Sequence, residues 1–413
     1  VADLRQNLRA LGSDLIIKVG KPEEIIANLA RETKSSWVFC NRERMSEELS
    51  VQEKLEQNLW QLGIEIMFSR GKMLFHTQDL PFPVNQTPDI FTVFRKETER
   101  LVNIRQPFSV PVKMPPLPPG TDLGALPTLA DLGHDFFEND PQSVLDFRGG
   151  ETAGLARVRH YFEETKAAKT FKETRNELLG ADFSTKFSPW LASGCLSPKH
   201  IYHELRRFEA KNGANESTYC IFFELLHRDF FRFMGKKHGN KIFLKNGTRE
   251  SKLPQKWHED RSVFQLWAEG RTGIPFIDAN LRELARTGWM SNRGRQNVAS
   301  FLTKDLEINW QMGAEWFESM LIDYDVCSNW GNWNYVAGVG SDPREDRYFN
   351  ILKQAKTYDP KGDFVKKWLP DFNEIVAEKI HRPDLFTDEE ARKIGLGTKY
   401  PNPIFSINKW DRG

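Results

Sequence analysis

The amino-acid sequence predicts a chain of two parts: an α/β N-terminal part with a partial Rossmann-like parallel sheet, then a larger all-α part. Three observations carry this expectation. Over the first 80 residues, apolar segments of helical and of strand length alternate, the order that a parallel sheet with crossover helices requires. Proline then gathers, with Pro115, Pro116, Pro118 and Pro119 almost consecutive. From Gly149 onward strand signals fade and helical spacing dominates, as in Ile201, Leu205 and Phe208. The expected boundaries are 1–80 for the α/β part, 81–148 for a proline-rich extended connector and 149–413 for the helical part.

Taken in order, Leu4, Leu8 and Leu11 mark an amphipathic helix closed by Gly12, and Leu15 to Val19 reads as a strand. Pro22 suits a first helical position, and Ile25, Ile26 and Leu29 give that helix one apolar face. A second strand, Trp37 to Cys40, precedes a helix carrying Val51, Leu55, Leu59 and Leu62. Gly63 ends that helix, and Ile64 to Phe68 is the third strand. The order opens on a helix with no strand to cross over from, so earlier strands are expected to lie outside this chain.

Composition bounds the classes. The chain has 413 residues, 39% hydrophobic and 28% charged, which suits a globular protein of two or three domains. No apolar run reaches spanning length and no signal peptide is evident, so the expectation is a soluble intracellular protein without a membrane partner, of the cytoplasm, nucleus, plastid or mitochondrion; a monomer is expected. Cys40, Cys195, Cys220 and Cys327 form no C-x-x-C pair, which argues for reduced thiols and against a zinc site. With 58 basic and 57 acidic residues, any nucleic-acid contact must come from a local basic face.

Four segments carry chemistry. Ile322 to Tyr335 interleaves Asp323, Asp325, Asn329 and Asn332 with Tyr324, Trp330, Trp333 and Tyr335. That mixture suits a planar, heteroatom-rich ligand, or equally an aromatic core corner with capping amides. Ser184-Thr185-Lys186-Phe187-Ser188-Pro189 sets hydroxyls and an ammonium before a helix, apt for a diphosphate or for simple capping by Ser188. On the helix around Ile221 to Arg232, Glu224 and Arg228 could pair at the surface or form a polar stripe facing a cavity. His227 falls beside them and by itself reads as structural. Asn292, Arg293 and Arg295 flank a helix start; Arg295 could pair with Asp323 or Asp325. Arg293, Arg344 and Arg347 could face phosphate or remain solvated.

Together these segments resemble the photolyase/cryptochrome family, most closely its DASH-type cryptochromes. The carriers are Lys172 to Asn176, the run from Ser184 through Pro198, Thr272 to Ala279, Trp289 to Phe301 and Trp316 to Phe349. The resemblance extends from the first residues to near Pro370. It implies a helical domain that holds FAD in a folded conformation. Ser184, Thr185, Lys186, Phe187 and Ser188 would hold its phosphates. Glu224, Arg228, Asn292, Arg295, Asp323, Tyr324 and Asp325 would surround the rest, with Asn329 at the flavin N5. Trp257, Trp310 and Trp333 match the family's tryptophan chain from surface to flavin.

The implied reaction is blue-light repair of cyclobutane pyrimidine dimers in single-stranded or locally unpaired DNA by an electron from excited reduced FAD. Glu224 and Asn329 would act on the dimer and the flavin, while His227, Arg293, Tyr335, Arg344 and Arg347 would contact DNA. The alternative is a blue-light photoreceptor using the same flavin. Three positions depart from the family pattern: Phe171 for a tyrosine, His227 for a tryptophan and Cys220 for a bulky aromatic. The segment Arg70-Gly71-Lys72-Met73-Leu74 replaces the motif expected at a folate (methenyltetrahydrofolate) antenna.

Overall fold

The computed structural model describes residues 1–249, 256–340 and 348–412. Arg344 and Arg347 lie outside the described residues. The N-terminal part pairs two strands in parallel, β1 (Trp37–Asn41) and β2 (Glu65–Ser69), with Trp37 opposite Glu65 and Asn41 opposite Ser69. The helix Ser46–Gln61 makes the crossover between them. Side chains alternate across a strand, so Val38 and Ile66 share one face. That face meets Ala27, Ala30, Leu55 and Leu59 of the helices Pro22–Glu32 and Ser46–Gln61. On the other face Trp37, Phe39 and Met67 are exposed.

The expected strand Leu15 to Val19 is extended but pairs with neither β1 nor β2. Its main-chain partner is the connector: the Ile17 N–H donates to Leu123 O at 2.8 Å. The Arg5 guanidinium gathers the carbonyls of Leu15, Leu123 and Gly124 at 2.8–2.9 Å. A Cβ on Gly124 would fall 1.9 Å from the Ile17 oxygen, so this approach depends on glycine.

Residues 81–148 are not extended throughout. They contain the helix Phe91–Leu101, whose Phe94 packs against Phe75, Phe82, Phe230 and Phe233. Beyond Gly149 the chain is helical, in agreement with the expected all-α part. Its axis is the helix Glu216–His238, started by a capping box between Asn215 and Thr218. The helices Trp310–Met320 and Val326–Ala337 pack on each other, and the second also packs on Glu216–His238. Trp267, Trp310 and Trp333 sit in the larger core. The helix Asn292–Ser300 passes into a π-helical turn, Phe301–Asp305. Among the described residues no helix is long and apolar enough to cross a membrane.

Candidate functional site

The Ser184 to Ser188 loop is shaped from behind by Arg157. Its guanidinium donates to Thr185 O at 3.0 Å, Ala181 O at 2.8 Å and Ser184 O at 3.1 Å, and pairs with Asp182 at 2.7 Å. Lys186 takes a left-handed conformation with φ of +52°. Its buried Nζ donates to Gly180 O at 2.9 Å and Ser184 Oγ at 3.3 Å. Burial, reinforced by the nearby Arg157 charge, pushes its amino group down to about 8. Ser188 is not the cap that its position suggests. The helix Ser188–Ala192 begins on it, the residue before is already turned into helical geometry, and no side-chain cap bond forms. Ser184, Thr185 and Ser188 instead line a cavity of about 290 Å³.

That cavity also touches Glu224, Arg228, Asn292, Arg295, Asp323 and Asp325. A second chamber of about 130 Å³ continues from it, sharing Asn292, Arg295, Asp323 and Asp325 and adding Tyr324, Asn329 and Trp333. Of its two possible partners, Arg295 takes Asp323, at 2.9 Å, while its Nε donates to Met290 O. Asp323 Oδ1 is buried without a partner among the described residues, which costs free energy unless a ligand donor meets it. Asp325 caps the helix Val326–Ala337 through Ser328 N–H at 3.0 Å and pairs with Arg232 at 2.5 Å. Burial alone would raise its carboxyl; Arg232, Arg228 and the Ser328 donors outweigh that and hold it below the usual range. Asn329 is fixed by donating to Ala314 O at 3.0 Å.

A larger cavity of about 710 Å³ adjoins the first and shares Arg175, Glu224, Arg228, Asn292 and Ser328 with it. Glu224 pairs with Arg175, whose Nη1 also meets Cys220 Sγ at 3.1 Å. Enclosure within the cavity wall raises the Glu224 carboxyl while Arg175 opposes this, although 44% of its side chain remains accessible. His227 and Tyr335 line this cavity. The His227 ring stacks on Phe91 with centroids 3.5 Å apart at 17°. Burial pushes it down to about 4, so the imidazole is neutral near pH 7 and presents a flat ring rather than a cation. Arg293 is turned inward: it donates to Asn176 at 3.0 Å and to Gln354 at 3.4 Å, and its guanidinium lies 4.6 Å from the Tyr358 ring.

Of the three tryptophans, Trp333 reaches the smaller chamber and packs on Gly313, where a Cβ would lie 2.3 Å from its ring. Trp310 is fully buried and donates to Lys245 O at 3.2 Å. Trp257, expected at the surface end, is only 7% exposed. Its indole donates to Thr303 O, and main-chain bonds between His258 and residues 307 and 309 hold the segment down. In the 70–74 segment Arg70 and Gly71 are exposed, whereas Met73 and Leu74 are packed inward. Asp229 accepts from the Leu74 and Phe75 N–H groups at 3.0 and 2.8 Å, Arg228 donates to Lys72 O and Lys199 to Met73 O. These bonds tie residues 72–75 to the helices Glu216–His238 and Pro198–Asn212.

The donor set suits a flavin dinucleotide: an ammonium and hydroxyls apt for a diphosphate, a buried acceptor without a partner among the described residues, and a narrow chamber lined by an indole and amides. Comparison with known proteins agrees. The profile of the FAD binding domain of DNA photolyase matches residues 221–412, and that of DNA photolyase matches residues 1–116. A cryptochrome DASH from Gloeobacter violaceus is 51% identical over 98% of this chain and 81% of its own length. One from Danio rerio is 47% identical over 100% of this chain and 80% of its own. The crystal structure of a Synechocystis cryptochrome superposes with a TM-score of 0.94 at 47% identity, covering 100% of this chain and 85% of that one. A class III photolyase from Agrobacterium tumefaciens gives 0.84 at 27% identity, covering 100% and 84%. The chain therefore belongs to the photolyase/cryptochrome family, among its DASH-type cryptochromes.

Proposed function

We propose that the chain repairs cyclobutane pyrimidine dimers under blue light, in single-stranded or locally unpaired DNA. The carrying observation is the wall shared by two cavities. Glu224, Arg228, Asn292 and Ser328 face both the chamber suited to FAD and the larger cavity beside it, so ligands in the two would abut. Bound FAD, reduced and excited, supplies one electron and takes it back. Everything else falls to the chain's own residues.

Ser184, Thr185, Lys186 and Ser188 hold the diphosphate. Arg295, Asp323 and Asn329, which line the smaller chamber, would hold the ring system. The larger cavity takes the dimer out of the stack, a step that is cheapest where the base is damaged or already unpaired. Phe91 and His227 provide a flat, neutral wall, and Tyr335 an aromatic one for a base face. Glu224 is the donor at the lesion. Burial raises its carboxyl toward the protonated form while the Arg175 pair opposes this, and a hydrogen bond from it to an acceptor oxygen of the dimer would strengthen as negative charge develops. Trp333, Trp310 and Trp257 carry an electron inward to restore the reduced cofactor.

The experiment is simple. Purified protein carrying flavin absorbance is mixed with ultraviolet-irradiated oligothymidine and exposed to blue light with the flavin fully reduced. Loss of dimers in light and not in darkness is the expected result. Bound, fully reduced flavin without dimer loss would instead identify a photoreceptor.

A further inference from the structure

Trp330, in the aromatic stretch that starts the helix Val326–Ala337, has no role in this scheme. It lies one turn before Trp333, and its ring meets Trp310 edge-on, with centroids 5.7 Å apart at 78°. Four neighbouring indoles differ in what their N–H groups meet. Those of Trp257, Trp267 and Trp310 donate to main-chain carbonyls, of Thr303, Val298 and Lys245. That of Trp330 donates to the Glu318 carboxylate at 3.1 Å, and Glu318 is exposed on the helix Trp310–Met320. An oxidised indole is a cation with an acidic N–H. A carbonyl cannot take that proton, whereas a carboxylate both attracts the cation and accepts the proton. Trp330 and Trp257 are equally buried, but Trp330 combines ring contact with Trp310 and a carboxylate that leads its proton to solvent, where the Trp257 N–H meets the carbonyl of Thr303.

We propose that Trp330 and Glu318 form a second outlet for the oxidising equivalent generated by light, branching from Trp310. It rests on the flavin-and-tryptophan reading above. Trp333 gives one electron to excited oxidised FAD, Trp310 refills Trp333, and Trp330 refills Trp310. The Trp330 cation then passes its N–H proton to Glu318 and on to solvent. An external thiol returns one electron and one proton to the neutral radical.

Transient absorption and electron paramagnetic resonance on the flavin-loaded protein test this, after flavin stoichiometry has been checked in each variant. W257F should keep a long-lived neutral tryptophan radical, and W257F/W330F should lose it about tenfold or more. E318Q, close in shape to the parent side chain, should slow deprotonation of the cation about tenfold, as expected for loss of one charge-assisted bond. A flavin-free readout accompanies it: one-electron oxidation of the apo chain by azide radicals should give a Trp330 cation whose proton loss slows in E318Q. Equal radical yields in W257F and W257F/W330F, or unchanged proton loss in E318Q, overturn the outlet while photoreduction in the parent leaves the flavin reading standing. A loaded parent with no photoreduction overturns both.

Discussion

Replacing Lys186 by glutamine tests the phosphate cradle through its protons. In the native chain burial places the ammonium near 8, against 10.5 for an ordinary lysine. A diphosphate beside it favours the charged form and raises that value, so FAD association takes up a proton wherever the free protein has lost one. Below pH 7 the lysine is already charged and affinity is level. Between pH 7 and 9 the charged fraction of the free protein falls about tenfold, and affinity should fall about tenfold with it, about 1.4 kcal/mol. Quenching of FAD fluorescence, titrated into apo protein at pH 6, 7, 8 and 9, measures this. Folding responds oppositely. From pH 8 to 10.5 the unfolded chain holds a proton that the native chain has released, so apo stability rises with pH, by about 3 kcal/mol for this depressed group. Lys186→Gln should flatten both profiles. Parallel pH profiles in parent and variant would show that the ammonium does not face the phosphates.

Three further outcomes follow from the same geometry. Burial pushes the Glu283 carboxyl up to about 8, against 4.5 for an ordinary glutamate; the native chain then binds the extra proton and stability falls as pH rises from 4.5 to 8, by about 5 kcal/mol at most. Glu283→Gln should remove that fall in urea titrations across the window, and an unchanged slope would assign it elsewhere. Asp229→Ala frees the Leu74 and Phe75 N–H groups that its carboxylate accepts, and should lower the unfolding free energy by about 3 kcal/mol, with a loss under about 1 kcal/mol contradicting the account. Gly313→Ala brings a Cβ to 2.3 Å from the Trp333 ring and 2.6 Å from Leu302. It should cost about 1–3 kcal/mol and shift tryptophan emission; unaltered emission would show that Trp333 does not lean on this glycine.

What the sequence disclosed and what it hid have physical reasons. β1 and β2 were readable because alternation and β-branched residues mark a half-buried pleat. Leu15 to Val19 carries the same marks, but its hydrogen-bond partner is Leu123, a hundred residues away, and composition does not encode that. The helix Phe91–Leu101 was masked by the prolines around it. Arg295 had two candidate acids, and only geometry chose Asp323. Arg157 left no signal because it acts through main-chain carbonyls, which every residue possesses. Ser188 showed the reverse: its spacing suggested a cap, while the bend at Phe187 released its hydroxyl to the cavity. Trp330 was visible as an aromatic, yet its distinction is the Glu318 partner on another helix.

The helix Glu216–His238 touches remote parts of the molecule at once. Glu224 meets Arg175 beside the cavities, Asp229 grips the Leu74–Phe75 backbone, Arg232 holds Asp325, and Lys237 and His238 fasten Asp89. One helical rod thus bonds both the sheet-side loop and residues that line the candidate chamber. Occupancy of the chamber is therefore expected to be felt far away: hydrogen exchange at Leu74 and Phe75 slows when FAD binds, although neither amide touches it. The rod makes the α/β part a reporter of whether the light-absorbing end is loaded.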